Sequence, residues 1–292
     1  MPLFDKITIV GVGLIGGSAG IAALKRGIAG DVTGVARRGE TIDAALSLGA
    51  VSRGTLSLAE GVKGADFVLV ASPVGAVPEI IRECLPLLES GAVITDAASV
   101  KRDIVYEVDS FITEDASFIG SHPVAGSEKS GVESADGNLF KGADCIITPL
   151  PGRGRGREAV EKFWEMLGMR VSVMSPEAHD SLMALTSHLP HIASCGLVNA
   201  VAGMFGEEAG RPFVSGGGFR DTTRIAAGSA ELWKDIILSN RDNLASALRE
   251  YTSMLKSLEQ ALEAGDADYV LRFLREAGES REKLVNMRSG KK

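Results

Sequence analysis

The sequence predicts an α/β protein, with a doubly wound and mostly parallel sheet first and an all-α region after it. Three observations carry this prediction. Short β-rich apolar runs alternate with helical segments as far as about residue 174. Several of those runs are apolar almost without a break, as strands covered on both faces must be. From residue 175 the pattern is helical almost to the end.

The elements follow in order. ITIV (7–10) is the first strand, and LIGGSAGIAALKRG (14–27) the first helix. VTGVA (32–36) and DFVLVA (66–71) are strands, VPEIIRECLPLLE (77–89) a helix, and AVIT (92–95) a strand. A helix over 100–108 leads to the strands SFIG (117–120) and DCIIT (144–148). After the loop PLPGRGRGRE come the helix EAVEKFWEMLG (158–168) and the strand RVSVM (170–174). Ser175 then caps a helix whose first turn holds Pro176. The boundary therefore falls near residue 175, giving domains of 1–174 and 175–292, as the length of 292 residues allows.

Composition narrows the function. With 45% hydrophobic and 24% charged residues the chain is an ordinary globular one. A net charge of -7 speaks against an extended nucleic-acid surface. Cys84, Cys145 and Cys195 are widely spaced and odd in number, which fits a reducing cytoplasm and no disulfide framework. Residues 7–24 carry no charge, but five of them are glycine, clustered mid-run, so a strand–turn–helix is expected there and no membrane span. Near the end, Leu244, Leu248, Tyr251, Leu255, Leu258 and Leu262 form a heptad-like seam. It is read as a helix pairing across a two-fold axis in a homodimer, the alternative being packing within its own domain.

GVGLIG (11–16) fits G-x-G-x-x-G, placed between a strand and a helix. In that context the glycines permit a tight turn and let backbone N–H groups approach a pyrophosphate, the signature of a Rossmann domain. The candidate cofactor contacts are Gly11, Gly13, Leu14, Ile15 and Gly16, with Ser72 after the DFVLVA strand. Where an acid would take the ribose hydroxyl of NAD, the chain has Arg37 and Arg38. Two guanidiniums suit a 2′-phosphate, so NAD(P) is expected, leaning to NADP.

A nicotinamide site needs a group to take a hydroxyl proton as hydride leaves, and histidine suits that task. His122 directly follows SFIG and is expected at the carboxyl edge of the sheet, where ligands bind in such folds. Its plainer reading is a loop histidine in a turn at Pro123. Ser99 either bonds the histidine or the substrate hydroxyl, or caps the helix that follows. His188 and His191 share a helix face, with a bend expected at Pro190; no third ligand accompanies them, so no metal site is expected. In GGGFRDTTRIA, Arg224 could clamp a carboxylate and Asp221 hold the guanidinium, or the two form a surface pair. Trp233 walls a pocket or belongs to the core. Together these residues read as a dehydrogenase of a hydroxylated acid.

GVGLIGGS, TDAASVK, GSHPVAGSEKSG, TSHLPH, GFRDTTRIA and the trailing Trp233 resemble, in order, the motifs of the prephenate/arogenate dehydrogenase family. The resemblance runs from residue 7 to about 265. It implies a Rossmann domain followed by a helical dimerisation domain. It also implies oxidative decarboxylation of prephenate to 4-hydroxyphenylpyruvate with NAD(P)+, in tyrosine biosynthesis. By the same resemblance His122 is the catalytic histidine and Ser99 its supporting serine. Arg224 grips the side-chain carboxylate, and Ser127 and Glu128 stand at the pocket wall, with Glu128 and Asp221 in an ionic network. His191 lies at the pocket edge and Trp233 near the entrance. SEKSG with Glu128, and the histidine after TSHLP, favour prephenate over arogenate, with an arogenate or dual cyclohexadienyl dehydrogenase as the alternative. The rival readings are a 3-hydroxyacid dehydrogenase and a redox-sensing module that binds NAD(P) without turnover.

Overall fold

The computed structural model describes residues 1–126, 129–205 and 214–288. They fall into two compact units, 1–241 and 242–292.

The first unit is built on one eight-stranded sheet. Its strands are β1 (Phe4–Val10), β2 (Ala29–Val35), β3 (Arg53–Thr55), β4 (Phe67–Val70), β5 (Val93–Asp96), β6 (Ser117–Val124), β7 (Asp144–Thr148) and β8 (Arg170–Val173). They lie in the order β3-β2-β1-β4-β5-β6-β7-β8. Strands β3 to β6 in that order are parallel, β7 runs antiparallel to β6, and β8 parallel to β7. The helices are α1 (Leu14–Lys25), α2 (Gly39–Ser47), α3 (Leu58–Val62), α4 (Val77–Cys84), α5 (Arg102–Asp109), α6 (Arg157–Met166), α7 (Pro176–Met183), α8 (Leu189–Phe205), α9 (Gly217–Thr223) and α10 (Ala230–Ser239).

The unbroken apolar runs have a direct cause. Ile7 and Ile9 of β1, and Phe67 and Leu69 of β4, enter one core with Phe163 and Trp164 of α6. Val10, Val68 and Val70 enter a second core on the opposite face with Ile81 and Ile104. Successive residues of a strand point to opposite faces, so a sheet covered twice favours apolar residues on both faces of its strands. The indole of Trp164 is fully buried yet satisfied, because its Nε1 donates to Ser121 Oγ at 2.9 Å.

Four features differ from the sequence expectation. Strand β3 is a three-residue edge, Arg-Gly-Thr, too short to stand out as a pattern. Strand β6 does not stop at Gly120: it continues through His122 and Pro123 to Val124, paired with β7. Pro123 lacks an N–H but stands where β6 has already left β5, so its missing donor breaks no ladder on that side. The third is the helix expected over 77–89, which stops at Cys84 and tightens into a turn at Leu85–Leu87 around Pro86. Fourth, the bend expected at Pro190 takes the form of a π-helical turn over Ala184–His188, just before the proline that cannot donate to the preceding turn. Ser175 caps α7 as expected, its side chain accepting from Ala178 N at 3.2 Å.

The second unit is a helical hairpin of α11 (Arg241–Ala264) and α12 (Ala267–Arg288). Gly265 turns the corner at φ +67, and Asp266 Oδ1 accepts from Tyr269 N at 2.9 Å to start α12. Along the seam, Leu244 is buried, Leu248, Tyr251 and Leu258 are half-buried, and Leu255 and Leu262 are exposed. Among the described residues, no helix is long and apolar enough to cross a membrane.

Candidate active site

Strand β1 delivers the chain into a crevice at the carboxyl ends of the parallel strands. Gly11 has φ +98, and a Cβ there would sit 2.4 Å from the Ala71 carbonyl oxygen. At Gly16 a Cβ would sit 2.2 Å from the Gly11 carbonyl oxygen, so the turn can pack only if both are glycine. Gly13 differs. It is the N-cap of α1, and a Cβ there would meet nothing within 4 Å. It faces open space where backbone N–H groups at the positive end of α1 are free to meet an anion. A cavity of about 600 Å³ begins at this point, lined by Gly11, Gly13, Arg37, Arg38, Ser72 and Glu133 among others. Ser72 Oγ donates to the Val10 carbonyl at 3.2 Å, which fixes it on the cavity wall. Leu14 and Ile15 open the helix half-buried, Ile15 packing on the core. These residues fit a dinucleotide: a glycine turn, an open cradle at a helix start and two cations beyond it.

All four histidines of the chain are buried, and they form one cluster. His122 stands on β6 just beyond the end of β5, 9% exposed. Its Nδ1 lies 2.8 Å from Nε2 of His179, and the rings meet nearly edge to face. The other nitrogen of His179, Nδ1, lies 2.7 Å from Oδ1 of Asp180. Asp180 also caps α5: Oδ1 accepts from Lys101 N at 2.8 Å and Oδ2 from Arg102 N at 2.9 Å. Lys101 is fully buried and ion-paired with Asp96, which is also fully buried and accepts from the backbone of Ala98 and Ser121.

This setting keeps the imidazoles neutral. Burial drives His122 well below the usual imidazole range, and the neighbouring His179, Lys101 and His188 oppose its protonation further. Burial lowers His179 too, although the Asp180 carboxylate partly offsets it. Burial alone would raise Asp180, but hydrogen bonds from His179 and from the backbone of Arg102 and Lys101 hold it below the usual carboxylate range.

The second half of the cluster is organised by Trp233. His191 stacks on the indole and His188 meets its edge, as their shared helix face predicts. Asn240 Nδ2 reaches the Asp180 carbonyl at 2.7 Å and His188 Nδ1 at 3.2 Å, tying the two halves together. Burial pushes His188 down to about 4 and lowers His191. Arg224 begins the turn Arg224–Ala227, which packs on α8, the helix of His191; Arg224 and Asp221 are both exposed.

Ser99 is half-buried on the bend before α5, and among the described residues no hydrogen bond joins it or Arg224 to His122. Nor does Ser99 cap α5, a role taken by Asp180. Ser127 and Glu128 lie outside the described residues. His179, Asp180 and Lys101 were not singled out as site residues by sequence. The one available signal was a histidine–aspartate pair in the first turn of a helix, in SPEAHD.

Comparison with known proteins identifies the family of the chain. Residues 20–173 match the family described as prephenate dehydrogenase, nucleotide-binding domain, and residues 175–276 its dimerization domain. The prephenate dehydrogenase of Bacillus subtilis is 34% identical over 293 residues, covering 98% of this chain and 78% of that protein. The cyclohexadienyl dehydrogenase of Zymomonas mobilis is 33% identical, covering 96% of each. Among solved structures, the prephenate dehydrogenase of Aquifex aeolicus in complex with hydroxyphenyl propionate and NAD+ has a TM-score of 0.89 at 34% identity, covering 96% of this chain and 98% of that one. The arogenate dehydrogenase of Synechocystis has a TM-score of 0.79 at 29% identity, covering 96% and 99%.

Proposed function

The chain belongs to the prephenate dehydrogenase family, and on that premise we propose the oxidative decarboxylation of prephenate to 4-hydroxyphenylpyruvate as its reaction, with His122 as the base. The observation that carries the proposal is the buried, neutral imidazole of His122 beyond the end of β5, with one ring nitrogen engaged and the other without a partner among the described residues.

The nicotinamide of NAD(P)+, when bound, accepts a hydride from the hydroxyl-bearing ring carbon. Everything else falls to the chain. The glycine turn at 11–16 and Ser72 seat the dinucleotide. Arg37 and Arg38 line its cavity beyond β2, where guanidiniums meet a 2′-phosphate, so the preferred cofactor is NADP+. His122 draws the hydroxyl proton to Nε2 as the hydride leaves and the oxygen becomes a carbonyl. The ring carboxylate departs as CO2, and its bonding electrons close the aromatic ring and return charge to that oxygen. His122 then gives its proton back, so the phenol forms with no net proton released. A buried neutral imidazole suits both steps, because it is free to accept and strongly inclined to return what it takes.

Arg224 grips the side-chain carboxylate of the substrate, with Asp221 and Glu128 in its ionic surroundings. Ser99 supports His122, while His191, Trp233 and Ser127 line the pocket. The half-uncovered seam of α11, in a region that matches the dimerization domain, is the face by which two copies pair. Residues 1–174 thus hold the cofactor and supply the base, and residues 175–292 supply the carboxylate grip and the pairing face. The setting is the cytoplasm.

A spectrophotometric assay with prephenate and with arogenate, each in the presence of NAD+ or NADP+, tests the reading. Reduced cofactor should appear with prephenate, fastest with NADP+. Cofactor binding without reduction in any of the four mixtures would overturn it in favour of a sensing module.

A further inference from the structure

We propose that Asp180 and His179 are positioning residues that fix the tautomer of His122, leaving its Nε2 as a bare lone pair. The inference rests on the reading of His122 as the base.

Donors and acceptors along the three side chains alternate in one direction only. Asp180 is a carboxylate whose two oxygens already accept two backbone N–H groups, so it can only accept from His179. His179 therefore carries its hydrogen on Nδ1. A neutral imidazole has one donor and one acceptor, so Nε2 of His179 is an acceptor. The 2.8 Å contact between that atom and Nδ1 of His122 then requires a hydrogen on His122 Nδ1. His122 is left with a lone pair on Nε2, the form able to take a proton. The opposite tautomer would point N–H at the substrate hydroxyl and could not act as a base. The same chain steadies the imidazolium formed in the reaction, since its Nδ1–H still points toward His179 and the anion behind it. In a serine-protease triad, an aspartate replaced by asparagine misplaces the histidine proton and costs about 10⁴ in turnover.

The chain contains only four histidines, so its ring nitrogens can be read directly by ¹⁵N NMR of the labelled, full-length protein. His122→Gln assigns the resonances by what it removes. The expected result is hydrogen on Nδ1 and none on Nε2 for both His122 and His179. Hydrogen on Nε2 of His122 in the free enzyme would overturn the proposal. Kinetics gives the second arm. His179→Phe removes the acceptor and should lower kcat about 10²-fold, with KM and the affinity for reduced cofactor within twofold. His179→Gln offers an amide oxygen near the lost Nε2 and should recover most of that loss. Equal losses in folded Phe and Gln variants would also overturn it. If the wild-type protein fails to oxidise prephenate, the reading of the reaction falls while the tautomer measurement still stands.

Discussion

His191 lies flat against Trp233, with ring centroids 3.5 Å apart and 9° between the planes. The same indole receives the edge of His188, so one aromatic side chain holds two histidines in place. The Trp233→Leu variant should therefore raise KM for prephenate about tenfold while changing kcat much less, because it unseats the pocket edge and leaves His122 alone. Stacking of this kind contributes about 1 kcal/mol beyond burial. Steady-state kinetics checks this, and a loss confined to kcat would contradict it. Gly228 adds a second approach. A Cβ there would sit 2.8 Å from the indole Nε1, so Gly228→Ala should displace the ring and reproduce a milder form of the same defect.

His122→Asn should reduce turnover by about 10²–10⁴, the usual worth of a positioned base. Affinity for the reduced cofactor, measured by fluorescence, should stay near wild type, because the glycine turn at Gly11–Gly13 is built on β1 and α1, well separated in the sheet from β6. Equal losses in both quantities would mean that the residue is structural.

Arg37 and Arg38 should decide between the two dinucleotides. Hydrogen bonds to a charged group contribute about 1.5–3 kcal/mol each, which is about 10–100-fold. The double variant Arg37→Ala/Arg38→Ala should therefore lose at least about tenfold in kcat/KM for NADP+ and little for NAD+. A parallel fall with both cofactors would show that the two arginines do not read the 2′-phosphate.

Acid should destabilise the fold before the carboxylates titrate. The four histidines are held neutral when folded but take up protons near pH 6.5 when unfolded. Below that pH the unfolded chain binds more protons, so stability falls as pH falls. For His188, pushed down to about 4, the window runs from about 6.5 to 4 and represents on the order of 3 kcal/mol. Urea midpoints followed from pH 8 to 4 should drop across that window, and His188→Gln should flatten the drop. A midpoint constant down to pH 4.5 would contradict the buried, neutral state.

The sheet was legible because its signal is local. A strand such as Phe67–Val70 announces itself by having no polar residue, and the Gly11–Gly16 turn by its spacing. His122 was legible for the same reason, standing next to an apolar run. What stayed hidden depends on distant pairing. His179 meets His122 across 57 residues of sequence, and Asp180 caps a helix 78 residues before it. Ser99 looked like the cap because capping is normally a local affair. Nothing in the sequence marks Lys101 as buried, because a charge with a buried partner looks, in one dimension, like any other charge. The three-residue β3 is visible only through the neighbour it pairs with.

The carboxylate of Asp180 has one consequence for how the protein comes into being. It holds the start of α5 with two backbone contacts and the ring of His179 with a third, so one group both joins the helical segment to the sheet and sets a proton in place. A polypeptide emerging from synthesis that has closed its sheet, but has not yet laid α7 against it, would own a nucleotide crevice and a misdirected imidazole. On the proposed reaction, reactivity would then arrive only with the completed architecture.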